Sequence, residues 1–181
     1  ADVNAVIELA RLIKEKQPKI FGYLLQLRGK SKIAKLVNGG QPFVYSSGKY
    51  PSEFEKTTVV AKVCDHPKRQ GALVYDLRHD PSQFIDLTSE ELAELWTWRP
   101  PKQAKEEPEL NLPVKTVQYN RCPAVAPLAV LDKESQNRLK LNMAETAQHR
   151  QQLIKARQFT PRLLKALEIL DKKQQERLFS E

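Results

Sequence analysis

Apolar residues recur at helical spacing over residues 2–16, where Val3, Val6, Leu9, Ala10 and Ile13 follow a period of about 3.6 residues. Arg11, Lys14 and Lys16 come late in that segment, where cations meet the negative end of a helix dipole, and Gln17-Pro18 marks its stop. A second helical stretch starts near Lys19 and carries Ile20, Tyr23, Leu24 and Leu27 on one face. Arg28-Gly29-Lys30-Ser31 interrupts it, Ile33, Leu36 and Val37 resume the period, and Asn38-Gly39-Gly40 reads as a turn. From Pro42 the pattern changes to strand. Phe43-Val44-Tyr45, Thr57 to Val63 and Ala72 to Leu77 are β-branched or aromatic runs bounded by Gly, Pro, Ser or Asp. Thr88 and Glu91 form a capping box that opens a short helix through Trp96. Residues 99–111, rich in Pro and charge, predict an exposed excursion, and Val114 to Tyr119 alternates as a further strand ended by Asn120-Arg121-Cys122-Pro123. Beyond Asp132 the period is helical again. Leu139 and Leu141 lead into a helix with Ala144, Ala147, Leu153 and Ile154, and Thr160-Pro161 reads as N-cap and first position of a last helix. No internal repeat is visible. The order predicts an α+β fold, a small antiparallel sheet or barrel flanked by N- and C-terminal helices.

Composition narrows the classes. The 181 residues are 40% hydrophobic with only 6 Gly, which excludes a disordered or fibrous chain. No apolar run approaches the roughly 20 residues of a membrane span, and no signal peptide opens the chain. The first residue is Ala rather than Met and a helix already runs from residue 2, so a piece of a longer protein is expected. Cys64 and Cys122 are far apart and belong to no CxxC or Cys/His cluster, which predicts a reduced, cytoplasmic protein with buried thiols and neither disulfide nor zinc. A monomer is expected. The net charge of +8 is unevenly placed: +5 in residues 1–36, +5 in residues 138–181 and −2 between them. Two basic helical flanks thus surround an acidic, strand-rich centre. That permits a polyanionic partner, although a basic helix face is as often plain solvated surface.

No self-contained active site emerges. There is no Gly-rich phosphate loop, no HExxH and no GxSxG, and His66, His79 and His149 are scattered, the first two beside turn-forming Pro67 and Asp80-Pro81. The residues read as a binding or structural module. Single-strand binding needs cations for phosphates and flat side chains for bases. Lys30, Lys32 and Lys35 lie within two helical turns, and Lys49-Tyr50, Lys56 and Lys62 follow on and after a loop. Lys30, Lys32, Lys35, Lys49, Tyr50 and Lys56 are therefore the candidate DNA-binding residues. Tyr23, Tyr45 and Trp96 read more readily as core anchors, and Trp98 beside the Pro-rich stretch has no assignment.

Several segments, in order, resemble the bacterial exonuclease I family of single-strand-specific 3′-to-5′ DNA exonucleases. They are Gln17-Pro18-Lys19-Ile20-Phe21-Gly22-Tyr23-Leu24, Val44-Tyr45-Ser46-Ser47-Gly48, His66-Pro67, Val74-Tyr75-Asp76-Leu77, Pro113-Val114-Lys115 and Asn120-Arg121-Cys122-Pro123-Ala124-Val125-Ala126, with Arg138-Leu139 and Asn142 continuing in register. The resemblance covers the chain from its first residue to about residue 155, and it rests on order and spacing rather than on any one motif. It implies an N-terminal nuclease domain, a central Src-homology-3-like barrel and a C-terminal helical domain that together close a channel on single-stranded DNA. Residues 1–18 would be the last nuclease helix, 19–142 the central domain and 143–181 the start of the helical part.

The resemblance also implies site residues. Asp2 stands where the family's His-x-x-x-x-Asp motif ends in a ligand for one of two Mg²⁺ ions, which together stabilise the attacking and leaving oxygens of an in-line displacement. The motif's His would precede Ala1, and the other acidic ligands do not match positions of this chain, so the chain alone is expected to be inactive within a DNA-repair hydrolase. Read without the family, Asp2 is a first-turn acid favoured by the helix dipole. The family further implies docking of the acidic C-terminal tail of single-stranded DNA-binding protein. Tyr23 matches the aromatic of that site, while Pro127, Asp132 and Gln41 stand where Gln, Arg and Lys are familiar, leaving Arg121, Lys133 and Arg138 to supply positive charge. The alternative is a stand-alone interaction module that binds an acidic peptide and has no DNA role.

Overall fold

The protein is described here by a computed structural model covering residues 2–96 and 110–179, with side chains over 3–96 and 110–176. The expected excursion at 99–111 and Trp98 thus fall almost wholly outside the described residues. Helix α1 (Asp2–Lys16) is followed by α2 (Pro18–Gln26), which starts on Pro18, and by α3 (Lys30–Val37) after the break at Gly29. Ile33 and Val37, one turn apart on α3, are fully buried, whereas Lys30, Lys32 and Lys35 are exposed. Gly40, at a φ of 70°, takes the left-handed conformation that turns the chain into the sheet.

Five antiparallel strands follow: β1 (Phe43–Ser46), β2 (Thr57–Asp65), β3 (Gly71–Asp76), β4 (Val114–Gln118) and β5 (Ala124–Pro127), in the order β4-β3-β2-β1-β5. The sheet is open, so of the two expected forms the sheet holds. Strand β5 is an addition to the expected strands: after the turn at Asn120–Pro123, Ala124–Pro127 pairs with Ser46–Phe43 of β1. Every residue of central strand β3 is buried, and Gly71 at its start is obligatory, because a Cβ there would collide with the Val117 carbonyl of β4. A bulge between Lys62 and Cys64 bends the long strand β2.

The two faces of the sheet carry separate cores. Phe43, Val60, Ala72, Val74, Val117 and Val125 meet Leu27, Ile33 and Val37 from α2 and α3. On the other face Val59, Leu73, Tyr75 and Val114 meet α4 (Ser89–Trp96) and α7 (Phe159–Phe179). There Tyr75 takes Phe84 and Phe159 edge-on at centroid distances of 6.3 and 6.2 Å. Such aromatic pairs are worth about 0.5–1.5 kcal/mol each beyond the area they bury. Trp96 and, on the opposite face, Tyr23 and Tyr45 pack at the core margins. The capping box forms: the Thr88 amide and hydroxyl donate to Glu91 Oε2, both at 2.8 Å.

Helices α5 (Lys133–Arg138) and α6 (Met143–Lys155) lead to α7, which starts at Phe159, one residue before the expected cap Thr160. Phe159, Leu163 and Ala166 of α7 share a core with Leu73 and Tyr75 of the sheet. The cysteines differ from expectation too. Cys64 is half-buried, and burial with Asp65 beside it pushes its thiol up to about 11, but Cys122 is exposed in a left-handed turn.

Candidate nucleic-acid interface

Two groups of cations stand out, and they differ in how they are held. At the end of β3, Arg78 is held through both terminal nitrogens of its guanidinium, while its Nε is buried without a partner among the described residues. Its guanidinium donates to the Leu139, Lys140 and Thr57 carbonyls at 2.8, 3.3 and 3.0 Å and lies 3.8 Å over the Phe54 ring. It clamps the turn after α5 onto β2. Asp76 beside it accepts from the Thr58 hydroxyl at 2.6 Å and from the Arg78 amide at 3.1 Å. Lys62, part of the cationic run after β1, is likewise spent on Asp65 at 2.7 Å and Asn38 at 2.6 Å.

The second group is built on the β1–β2 loop. The Ser47 amide donates to the Lys56 carbonyl at 2.9 Å and the Tyr50 amide to the Ser47 carbonyl at 3.0 Å, so the loop closes on itself. Glu55 and Lys56 take left-handed φ values of 49° and 57° to complete it. Tyr50 is 4% exposed, with its ring edge-on to Tyr45 at 5.7 Å. This corrects the expectation of a stacking face: the Tyr50 ring is covered on one side by the Lys115 ammonium, 3.3 Å from its centroid. Burial drives the Tyr50 phenol far above its usual range, with Asp76 adding to the rise. Burial also pulls Lys115 down to about 8, Asp76 opposing and Lys49 and Lys56 reinforcing the fall. Neither Lys49, Lys56 nor Lys115 has an ion-pair partner among the described residues. Lys115 was not among the expected site residues. Its signal is a lysine inside the otherwise alternating strand Val114-Lys115-Thr116-Val117.

The α3 lysines ride on a helix anchored in the first core by Ile33 and Val37. Lys32 and Lys35 project to solvent, and Lys30 reaches Gln70 Oε1 at 3.4 Å across a shallow groove of about 380 Å³ lined also by His66, Arg69 and Tyr119. His66 accepts the Lys68 amide on Nδ1 at 3.1 Å, which shapes the β2–β3 turn, and burial and Arg69 lower its pKa. His149 is buried with Nδ1 2.8 Å from the Leu77 carbonyl, and burial lowers the pKa of His79.

The expected partner-binding residues fall into different settings. Tyr23 donates from its hydroxyl to the Val125 carbonyl at 2.9 Å, joining α2 to β5. Arg121 is exposed in the turn before β5, and Arg138 is engaged by Glu55 at 3.0 Å. Asp132, which departs from the resembled pattern, has a local role: it caps α5 by accepting the Ser135 amide at 2.8 Å. Asp2 opens α1. The next carboxylate on that helix, Glu8, is six residues on and so about 240° round the axis. Among the described residues no set of three His, Cys, Asp or Glu is placed to hold a metal. These residues do not by themselves fit a two-Mg²⁺ site.

The exonuclease I SH3-like domain family matches residues 28–169. The chain belongs to this family. It is 41% identical over 143 residues to the exodeoxyribonuclease I of Haemophilus influenzae, covering 77% of this chain and 30% of that protein. The structure of Escherichia coli exonuclease I in complex with a 5cy-dT13 oligonucleotide superposes with a TM-score of 0.82 at 30% identity, over 92% of this chain and 36% of that one. A structure of SSB/exonuclease I in complex with the inhibitor CFAM superposes with a TM-score of 0.80 at 30% identity, over 92% and 35% of the two chains. The chain thus spans about a third of the length of the relatives it matches.

Proposed function

We propose that this chain is the non-catalytic, DNA-holding portion of a single-strand-specific 3′-to-5′ exodeoxyribonuclease of the cytoplasm. The observation that carries the reading is its superposition on exonuclease I bound to a dT13 oligonucleotide, over nearly its whole length. Exposed Lys30, Lys32 and Lys35 on one side, and Lys49 and Lys56 on the β1–β2 loop, would line part of the strand's path. Cations with no carboxylate partner are the expected means of holding a backbone whose charge, not sequence, is being read.

Helix α1 supports a division in which residues 1–18 belong with a nuclease domain. Val3, Val6, Ile7, Leu9 and Leu12 of α1, with Ile20, Leu24 and Leu25 of α2, are 43–73% exposed, more large apolar side chains in solvent than two surface helices ordinarily keep. In that setting Asp2 would contribute one ligand to a two-Mg²⁺ centre whose other ligands come from the nuclease domain. The surface around Tyr23 and Arg121 would receive the acidic tail of single-stranded DNA-binding protein, with Arg138 joining only on release from Glu55.

The test is functional. The purified chain with Mg²⁺ should degrade no single-stranded DNA, whereas joined behind the nuclease domain of the Haemophilus influenzae relative it should restore processive digestion. Degradation by the chain alone, or no gain on joining, contradicts the reading.

A further inference from the structure

We propose that Lys49, Lys56 and Lys115 together hold one phosphate of a single-stranded DNA backbone, with the Tyr50 ring fixing Lys115 in place. This inference rests on the DNA-holding reading above and names a site within it.

Three observations converge. Lys115 stands on β4 opposite Val74, on the sheet face that packs against α2 and α3, and its stem is half-buried. Its ammonium rests 3.3 Å from the Tyr50 ring centroid, with no hydrogen bond and no ion pair among the described residues. Asp76, the carboxylate that bears on it, is already occupied by Thr58 and the Arg78 amide. Next, the Tyr50 hydroxyl is buried without a hydrogen-bond partner among the described residues, a donor left over at the foot of the same cluster. Finally, Lys49 and Lys56 add like charge to Lys115 rather than relieving it. A half-buried ammonium crowded by two others is costly in the free protein unless an anion joins them. A phosphate diester has the matching charge, and its oxygens accept from several ammoniums at once.

The site has a pH signature. The groups bearing on Lys115 are Tyr50, Lys49 and Lys56 from the loop, and Asp76 and His79 from the end of β3, with Arg78 acting on Tyr50 and His79, and His149 of α6 on His79. Tyr50 is raised and His79 lowered, so both stay neutral from pH 7 to 9. Lys115, at about 8, loses its charge across that window. Phosphate binds the charged form, so affinity is present below pH 8 and falls as pH rises through it. Arginine at this position keeps its charge throughout.

The measurement is fluorescence anisotropy of a labelled dT13 oligonucleotide with the 181-residue chain at pH 7 and pH 9. The unsubstituted chain should lose about fivefold in affinity between the two, and Lys115→Arg less than twofold. Lys115→Met should bind about five- to tenfold more weakly at pH 7 and lower the salt slope by about 0.7, the share of one phosphate contact on a single strand. Its melting temperature should match or exceed the parent's, which separates lost binding from lost folding. Binding that Lys115→Met leaves unchanged, or a pH dependence that Lys115→Arg keeps, overturns this site while the DNA-holding reading stands. No binding by the unsubstituted chain overturns both.

Discussion

Arg78 and Lys115 sit at the same end of the sheet and are used in opposite ways. Arg78 spends its guanidinium on three backbone carbonyls and a phenyl ring, whereas Lys115 has only the face of Tyr50. The first is a clamp that the fold needs, and the second is a charge that the fold tolerates. Cations of one region thus divide by their partners, not by their exposure: both side chains are about half-buried. Where the charged nitrogens are satisfied inside the chain, as Nη1 and Nη2 of Arg78 are, they are not left for a ligand. Where none is, the stabilising partner has to come from outside.

That contrast can be broken most severely at the clamp. Arg78→Met should destabilise the protein by roughly 2–4 kcal/mol in urea denaturation, because it leaves the Leu139 and Thr57 carbonyls without their charged donor. The folded fraction should still bind oligonucleotide within twofold of the parent. Equal losses of binding at Arg78 and Lys115 would erase the distinction. Asn142→Ala offers a second, smaller structural control. It removes the side chain that caps α6 by accepting the Ala144 and Glu145 amides, and should cost about 1 kcal/mol.

The stability effect at Lys115 itself is told apart by its sign. Its folded-state pKa lies below the ordinary lysine value, so the folded protein is penalised while the amine is charged. The penalty is complete below pH 8 and is relieved as pH rises from about 8 toward the ordinary lysine range. Denaturation midpoints of the parent relative to Lys115→Met should therefore rise over that interval. A relative fall would mean that Lys115 is a structural cation like Arg78. On α3 the changes should be smallest: Lys32→Met and Lys35→Met should each lower the salt slope of binding by up to about 0.7 without moving the melting temperature.

Much of this fold is legible in the sequence because its signals are local. The periods of α1 to α3, the alternating strands β1 to β4 and the Thr88–Glu91 capping box all lie within a few residues of the chain. Strand β5 is not legible in that way. Ala124–Pro127 is four residues long, ends in proline, and is a strand only because β1, about eighty residues earlier, offers an open edge. The same reason hides the role of α7, whose Phe159 reaches the core against Tyr75. At the candidate site the loop lysines can be read from composition, but the burial of Tyr50 depends on Lys115, sixty-five residues later in the chain. Conversely, Arg138 reads as a free cation in sequence and proves to be engaged by Glu55 across an exposed surface.

The account's central claim is that this chain holds single-stranded DNA through cations its own fold leaves unpaired. The most direct test is the salt dependence of its affinity for a dT13 oligonucleotide between 50 and 200 mM salt, with an acidic peptide as the competing ligand. The account predicts affinity that falls linearly on a log–log plot with a slope near −2, about 0.7 for the phosphate held jointly by Lys49, Lys56 and Lys115 and about 0.7 for each of those met by Lys32 and Lys35. Tight binding of the peptide with no measurable affinity for the oligonucleotide would contradict it.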